Sequence, residues 1–132
     1  MGRRVVVGAA DRRVPRAVAD VVADELAGRI TRDPHDVRLA VHEVVTNAVL
    51  HGGVPVTVTI EDRGEEGGVE VVVADAGGRG RGVDPRPHDE RGRGLLLARA
   101  CSDGVTVATP QAVTGWSVGL RYAAALTTPG RP

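Results

Sequence analysis

The segment HEVVTNAVLHGG, residues 42–53, spaces Glu43, Asn47 and His51 four residues apart. On a helix of about 3.6 residues per turn, such positions form one stripe. A carboxylate on that stripe can accept a proton, and an amide oxygen can bind a hard cation. Val37, Val41, Val44, Val45 and Ala48 gather on another face, expected to be core, while Leu39 and Leu50 flank the polar line. A polar stripe with apolar flanks is expected at the edge of a pocket rather than in open water. Zinc chemistry does not fit. HExx needs its second histidine at i+4, where Thr46 stands, and His51 lies half a turn round the helix from His42.

Two further groups can bind a ligand. VEVVVADAGG, residues 69–78, runs a buried-type strand into Asp75 and Gly77. The carboxylate can accept a hydrogen bond from the amino group of a flat ligand, and the glycine lets that ligand approach the backbone. RGRGLLLARA, residues 91–100, places Gly92 and Gly94 before a helix whose free amides favour an anion such as phosphate. Arg91 and Arg93 can add charge-assisted contacts. A chain without lysine cannot form the lysine-dependent phosphate loop, and no strand–GxGxxG–helix unit occurs.

Elements must hold these groups in place. RVVVGA, residues 4–9, reads as a strand. Pro15 opens an amphipathic helix with Val18, Val21, Val22, Leu26 and Ile30 at helical spacing. The break at 31–34 precedes a second helix over 37–51, with Asp36 able to cap it and Gly52 and Gly53 ending it. Residues 55–62 and 69–75 read as a hairpin around RGEEGG, the second strand being the more hydrophobic and so the more central. A glycine-rich segment over 76–94 has no periodicity, and a loop of that length in a compact domain is usually functional or disordered. LLLARACSD then reads as helix, 105–108 as a short strand and 115–126 as a last strand.

The expected order is β-α-α-β-β-loop-α-β-β. It predicts an α+β fold: a two-layer α/β sandwich whose mixed, mostly antiparallel sheet is covered on one side by about three helices. Residues 1–125 are expected to form a single domain and 126–132 a polar tail.

The 132 residues suit one domain. Seventeen arginines balance 17 acids to a formal net charge of zero, which speaks against general nucleic-acid or membrane affinity. Asp84, Asp89 and Glu90 interrupt the Arg/Gly segment, which also lacks the aromatic residues that stack on single-stranded bases. Cys101 is the only cysteine, so there is no internal disulfide, and it is expected to be a small buried residue. No apolar run reaches the roughly 18 residues of a membrane span, and the N-terminus has too short an apolar core for a signal peptide. A soluble, cytoplasmic protein is expected.

In sequence order, E-x-x-x-N on a helix, D-x-G after a strand, a loop, and G-x-G-L opening a helix resemble the ATP-binding domain shared by gyrase, heat-shock chaperone, histidine-kinase and mismatch-repair ATPases. Within that superfamily the chain is most similar to the small single-domain anti-sigma-factor serine/threonine kinases of actinobacteria. HEVVTNAVLHGG and RGRGLLL carry the similarity, which covers roughly residues 14–122.

The resemblance implies ATP and Mg²⁺ as ligands. It makes Glu43 the general base and Asn47 the Mg²⁺ ligand, assigns Asp75 to the adenine amino group and puts Gly77 beneath the base. The loop over 78–91 becomes a lid, Gly92 and Gly94, with Leu95 opening the helix, meet the phosphates, and Arg91 and Arg93 are candidate phosphate contacts. Ser117, in place of the family's glycine–threonine strand, would be a weak contact. Position 79 is arginine where the kinases often carry glycine, which leaves the lid hinge unassigned. The implied partners are a sigma factor and a small anti-sigma antagonist that is phosphorylated on a hydroxyl, with a homodimer expected and the first helix or strand near the partner. Alternatives are an ATP-binding interaction module without kinase activity, or a detached histidine-kinase catalytic domain with its acceptor on another protein.

Overall fold

The computed structural model describes residues 2–7, 13–51, 55–75, 92–108 and 117–125. In chain order the elements are β1 (Gly2–Val7), α1 (Arg13–Leu26), α2 (Pro34–His51), β2 (Val56–Asp62), α3 (Gly64–Gly67), β3 (Val69–Ala74), α4 (Gly92–Ala100), β4 (Gly104–Ala108) and β5 (Ser117–Tyr122). The strands form one five-stranded sheet in the order β1-β2-β3-β5-β4. Every pairing among the described strands is antiparallel. The sheet is thus a fully antiparallel form of the expected α+β sandwich, with the hydrophobic β3 at its centre.

Alternation along the strands sets the layers. Val56, Val58 and Ile60 of β2, Val69, Val71 and Val73 of β3, and Leu120 and Tyr122 of β5 are buried, and the helices pack on this face. Each valine or leucine withdrawn from water contributes about 1.5–3 kcal/mol, so a core with hardly any aromatic residue is still adequate. On the other face Thr57, Ala74 and Ser117 lie in one cross-strand row, and Glu61, Glu70 and Arg121 in another.

In α1, Val18, Ala19, Val22, Ala23 and Leu26 are buried, followed by Ile30. Val21, expected in that stripe, is 37% exposed, and Ala19 and Ala23 take its place. The helix makes most of its contacts with α2.

The second helix starts three residues earlier than its hydrophobic pattern indicates. Asp33 is its cap: its Oδ1 accepts the amide hydrogen of His35 at 2.8 Å, and its carbonyl accepts that of Asp36 at 2.9 Å. Pro34 supplies the first helical residue, where a missing N–H costs nothing. Asp36, the expected cap, lies in the first turn and instead pairs with Arg32 at 3.2 Å.

The hairpin turn RGEEGG contains the one-turn α3. Gly68 follows it at φ +72°, and a Cβ there would lie 2.3 Å from the Tyr122 carbonyl oxygen, so only glycine fits. Beyond β5, Ala124 bridges Ile30, and Ala123 accepts a hydrogen bond from the amide of Thr31 at 3.0 Å. These contacts fix the start of α2 at the Tyr122 end of the sheet.

Candidate functional site

Asp36, Glu43 and Asn47 lie within about 40° of one another on the α2 wheel, and the buried Ala40 stands just beyond Asn47. Asp36 is joined through Arg32 to the carbonyl oxygen of Ala100, the last residue of α4. This side of α2 therefore faces α4. On the other flank Arg38 pairs with Asp20 of α1 at 3.0 Å. Val44 and Val45 face the core between these flanks.

The same contacts set the direction of the helices. The start of α2 meets the end of α4, so the pair runs antiparallel and the end of α2 lies beside the start of α4. At about 1.5 Å per residue, Asn47 stands about 16 Å along α2 from Asp36, and Gly92 about 12 Å back along α4 from Ala100. Asn47 thus stands about 4 Å beyond the start of α4, on the side that its first-turn amides face.

The sheet register places the strand residues. His51 ends α2 and Val56 starts β2 at the end where Thr57, Ala74, Ser117 and Ala108 stand in register. Asp75 follows directly after Ala74. It takes the next position in the alternation of Val69, Val71 and Val73, which is the helix-covered face, and it is half-buried there. Asn47, Asp75 and the first turn of α4 thus share one end of the sandwich on one side of the sheet.

Ser117 stands at the same end but on the face away from the described helices, opposite Ala74. Gly92, Arg93 and Gly94 form the first turn of α4, and the Leu95 side chain is buried. Leu95 serves the core and anchors the helix start. Gly77 and Arg91, together with the segment expected to be a lid, lie outside the described residues, as do the side chains of Arg93 and His51.

Glu43 is 37% exposed, and His42 Nδ1 stands 3.8 Å from its Oε2. His42, read from sequence only as a failed zinc ligand, is the neighbour of the carboxylate. Leu39 packs against the core, whereas Leu50 is 57% exposed. The stripe is flanked by α4, which packs beside it, and leucines do not enclose it on both sides.

Arg32 was not singled out from the sequence. Its guanidinium donates to the carbonyl oxygens of Ala100 at 2.8 Å and Ser102 at 2.9 Å, to Asp103 Oδ1 at 3.1 Å and to Asp36 Oδ2 at 3.2 Å. The bond to Asp103 is the main cause of a pKa raised above the ordinary arginine value, with Asp36 adding to it against partial desolvation. The available signal was the spacing of Arg32 and Asp36 at i and i+4 around an Asp-Pro start.

Cys101 is buried, and burial raises its thiol pKa above the ordinary value, which suits a packing residue rather than a nucleophile. Among the described residues no group of three His, Cys, Asp or Glu side chains is placed to hold a metal, and no helix is long and apolar enough to cross a membrane.

The arrangement offers a proton acceptor one helical turn from an oxygen donor, helix-start amides beside that donor, and a carboxylate at the end of the central strand. No curated protein matches the chain. Residues 7–118 match the model of the histidine kinase-like ATPase domain, and the chain belongs to that family.

Proposed function

We propose that the chain is an anti-sigma-type regulator that binds Mg-ATP and phosphorylates a hydroxyl of a small antagonist protein. Family membership implies ATP binding. The observation that carries the finer reading is the antiparallel packing of α2 and α4, which sets Glu43 and Asn47 beside the first turn of α4.

The donor set suits Mg²⁺. One amide oxygen is enough for a hard cation that completes its shell with phosphate oxygens and water. In this reading Asn47 holds the metal, and the amides of Gly92, Arg93 and Gly94 present the positive end of α4 to the phosphates. Asp75 accepts a hydrogen bond from the adenine amino group, with Gly77 beneath the base and Arg91 as a phosphate contact. Ser117, on the sheet face away from the helices, is assigned no role in this reading.

Bound ATP supplies the activated phosphoryl group. Phosphoryl transfer then needs positioning, charge neutralisation and one group to take the proton from the acceptor. Glu43 takes that proton. It is exposed enough to meet a hydroxyl presented by another protein and lies one turn from Asn47. A sigma factor is the proposed second partner. A homodimer contact is proposed at β1, which pairs with β2 alone among the described strands.

The test is incubation with Mg-ATP and candidate antagonist proteins. Phosphoserine or phosphothreonine that appears with the wild type and vanishes with Glu43→Ala supports the kinase. ATP binding without transfer to any of them supports an interaction module instead, and acid-labile phosphate on the partner supports a detached histidine-kinase domain.

A further inference from the structure

A polar brace between the start of α2 and the end of α4 lies at the end of the sandwich opposite the proposed nucleotide site. Arg32 leaves the α1–α2 turn and places its planar guanidinium against the C-terminus of α4, with four acceptors from three segments around it. Ala100 and Ser102 offer backbone oxygens that a helix end leaves unpaired, and a cation there also meets the negative end of the helix dipole. Two further C-terminal carbonyls of α4 are held locally. Ser102 Oγ donates to the Ala98 carbonyl at 2.6 Å, and the amide of Cys101 donates to Leu97 at 2.9 Å. Asp103 extends the brace to the sheet, because its Oδ2 accepts the amide hydrogen of Ala123 at 2.8 Å.

A nine-residue helix has little intrinsic stability in water. Its axial position is set by what holds it, and Leu95, Ala98 and Cys101 supply only a short buried stripe. A shift at the C-terminal end is transmitted along a rigid helix to its first turn.

We propose that Arg32 is a positioning residue for the nucleotide site: by fixing the C-terminus of α4 against the start of α2, it sets how closely the α4 first-turn amides approach Asn47. The inference rests on the proposed ATP site for its functional consequence, and on the hydrogen bonds alone for the brace. Arginine is required because its planar fork meets several acceptors at once, which a lysine ammonium cannot do in the same geometry.

The experiment has two arms. Without nucleotide, hydrogen exchange of the α4 amides in Arg32→Gln is expected to be about tenfold faster than in wild type, with the central strands β3 and β5 unchanged. Unchanged α4 protection overturns the brace. In the second arm, calorimetry with Mg-ATP is expected to show the Kd raised about tenfold at unchanged stoichiometry, with Arg32→Lys recovering only part of the loss. Unchanged Kd overturns the positioning role, even where stoichiometry falls, because partial unfolding lowers the active fraction without weakening the sites that remain. Arg38→Gln, which breaks the ion pair on the α1 flank, is the control and is expected to leave the Kd unchanged. Asp103→Asn removes one acceptor only and is expected to move both readouts in the same direction by less, so the inference can be tested even if Arg32→Gln does not fold. Wild-type protein that binds no Mg-ATP contradicts the proposed function, while the exchange arm still decides the brace.

Discussion

Asp75 and Ser117 stand at the same end of the sheet but on opposite faces of it. Ala74 pairs directly with Ser117, so both are on the face away from the described helices, and Asp75 is one step further along the alternation, on the side of α2 and α4. Two residues that the sequence offers as contacts for the same ligand are separated by the thickness of the sheet.

Different outcomes are expected for the two substitutions. Asp75→Asn removes a charged acceptor and is expected to weaken ATP binding by about tenfold to a hundredfold, as loss of a charge-assisted hydrogen bond of roughly 1.5–3 kcal/mol implies. Ser117→Ala is expected to leave the affinity unchanged. Nucleotide titration of both variants checks this, and equal losses would place the ligand elsewhere.

Glu43→Gln separates chemistry from binding. Loss of a general base is expected to lower phosphoryl transfer by about a hundredfold to ten-thousandfold. ATP affinity is expected to stay as in wild type, because Asn47, Asp75 and the α4 amides are untouched. Transfer rates measured alongside calorimetry check it, and a parallel loss of binding would make Glu43 a ligand rather than a base.

The organisation of the chain was legible in its sequence because alternation and helical spacing report burial directly. β3 read as the most hydrophobic strand and is the central one, and the α2 core valines are buried as their spacing indicates. Long-range geometry was less legible. Nothing local to Ser117 tells which face of the sheet it occupies, since that depends on its register with Ala74. Arg32 lay in a stretch that reads as a simple break, because its partners at 100, 102 and 103 are joined to it only by the fold. Apolar periodicity reports the start of α2 three residues late, because the Asp33-Pro34 pair, a cap followed by a helix-opening proline, carries no apolar signal.

Asp33→Ala tests that start. Loss of the side-chain cap is expected to cost about 1 kcal/mol. For a domain of this size that lowers Tm by about 4 °C. Thermal unfolding followed by circular dichroism measures it, and an unchanged Tm would mean that Asp33 does not hold the first turn.

Tyr122 gives the fold a dependence on alkaline pH. Its hydroxyl is buried with no hydrogen-bond partner among the described residues, and burial pushes its pKa well above the ordinary value near 10. Below pH about 10 the phenol is protonated in both states, and its contribution to stability is fully present. As pH rises further the unfolded chain releases the proton while the folded chain keeps it, so stability falls. Tyr122→Phe is expected to remove this phenol's share of the loss and, by deleting an unpaired buried hydroxyl, to raise stability near neutral pH by about 1 kcal/mol. Urea unfolding of both proteins at pH 7 and pH 11 measures the difference. Equal alkaline losses in the two would exclude the phenol as a contributor.

The most direct test of the central claim is calorimetry of ATP binding with and without Mg²⁺ on wild type and Asn47→Ala. Wild type is expected to bind ATP more tightly with Mg²⁺ present, and the variant to lose that gain, weakening Mg-ATP binding by at least about tenfold, which is about 1.4 kcal/mol. A wild type that binds no ATP, or a variant that keeps the full effect of Mg²⁺, would contradict the account.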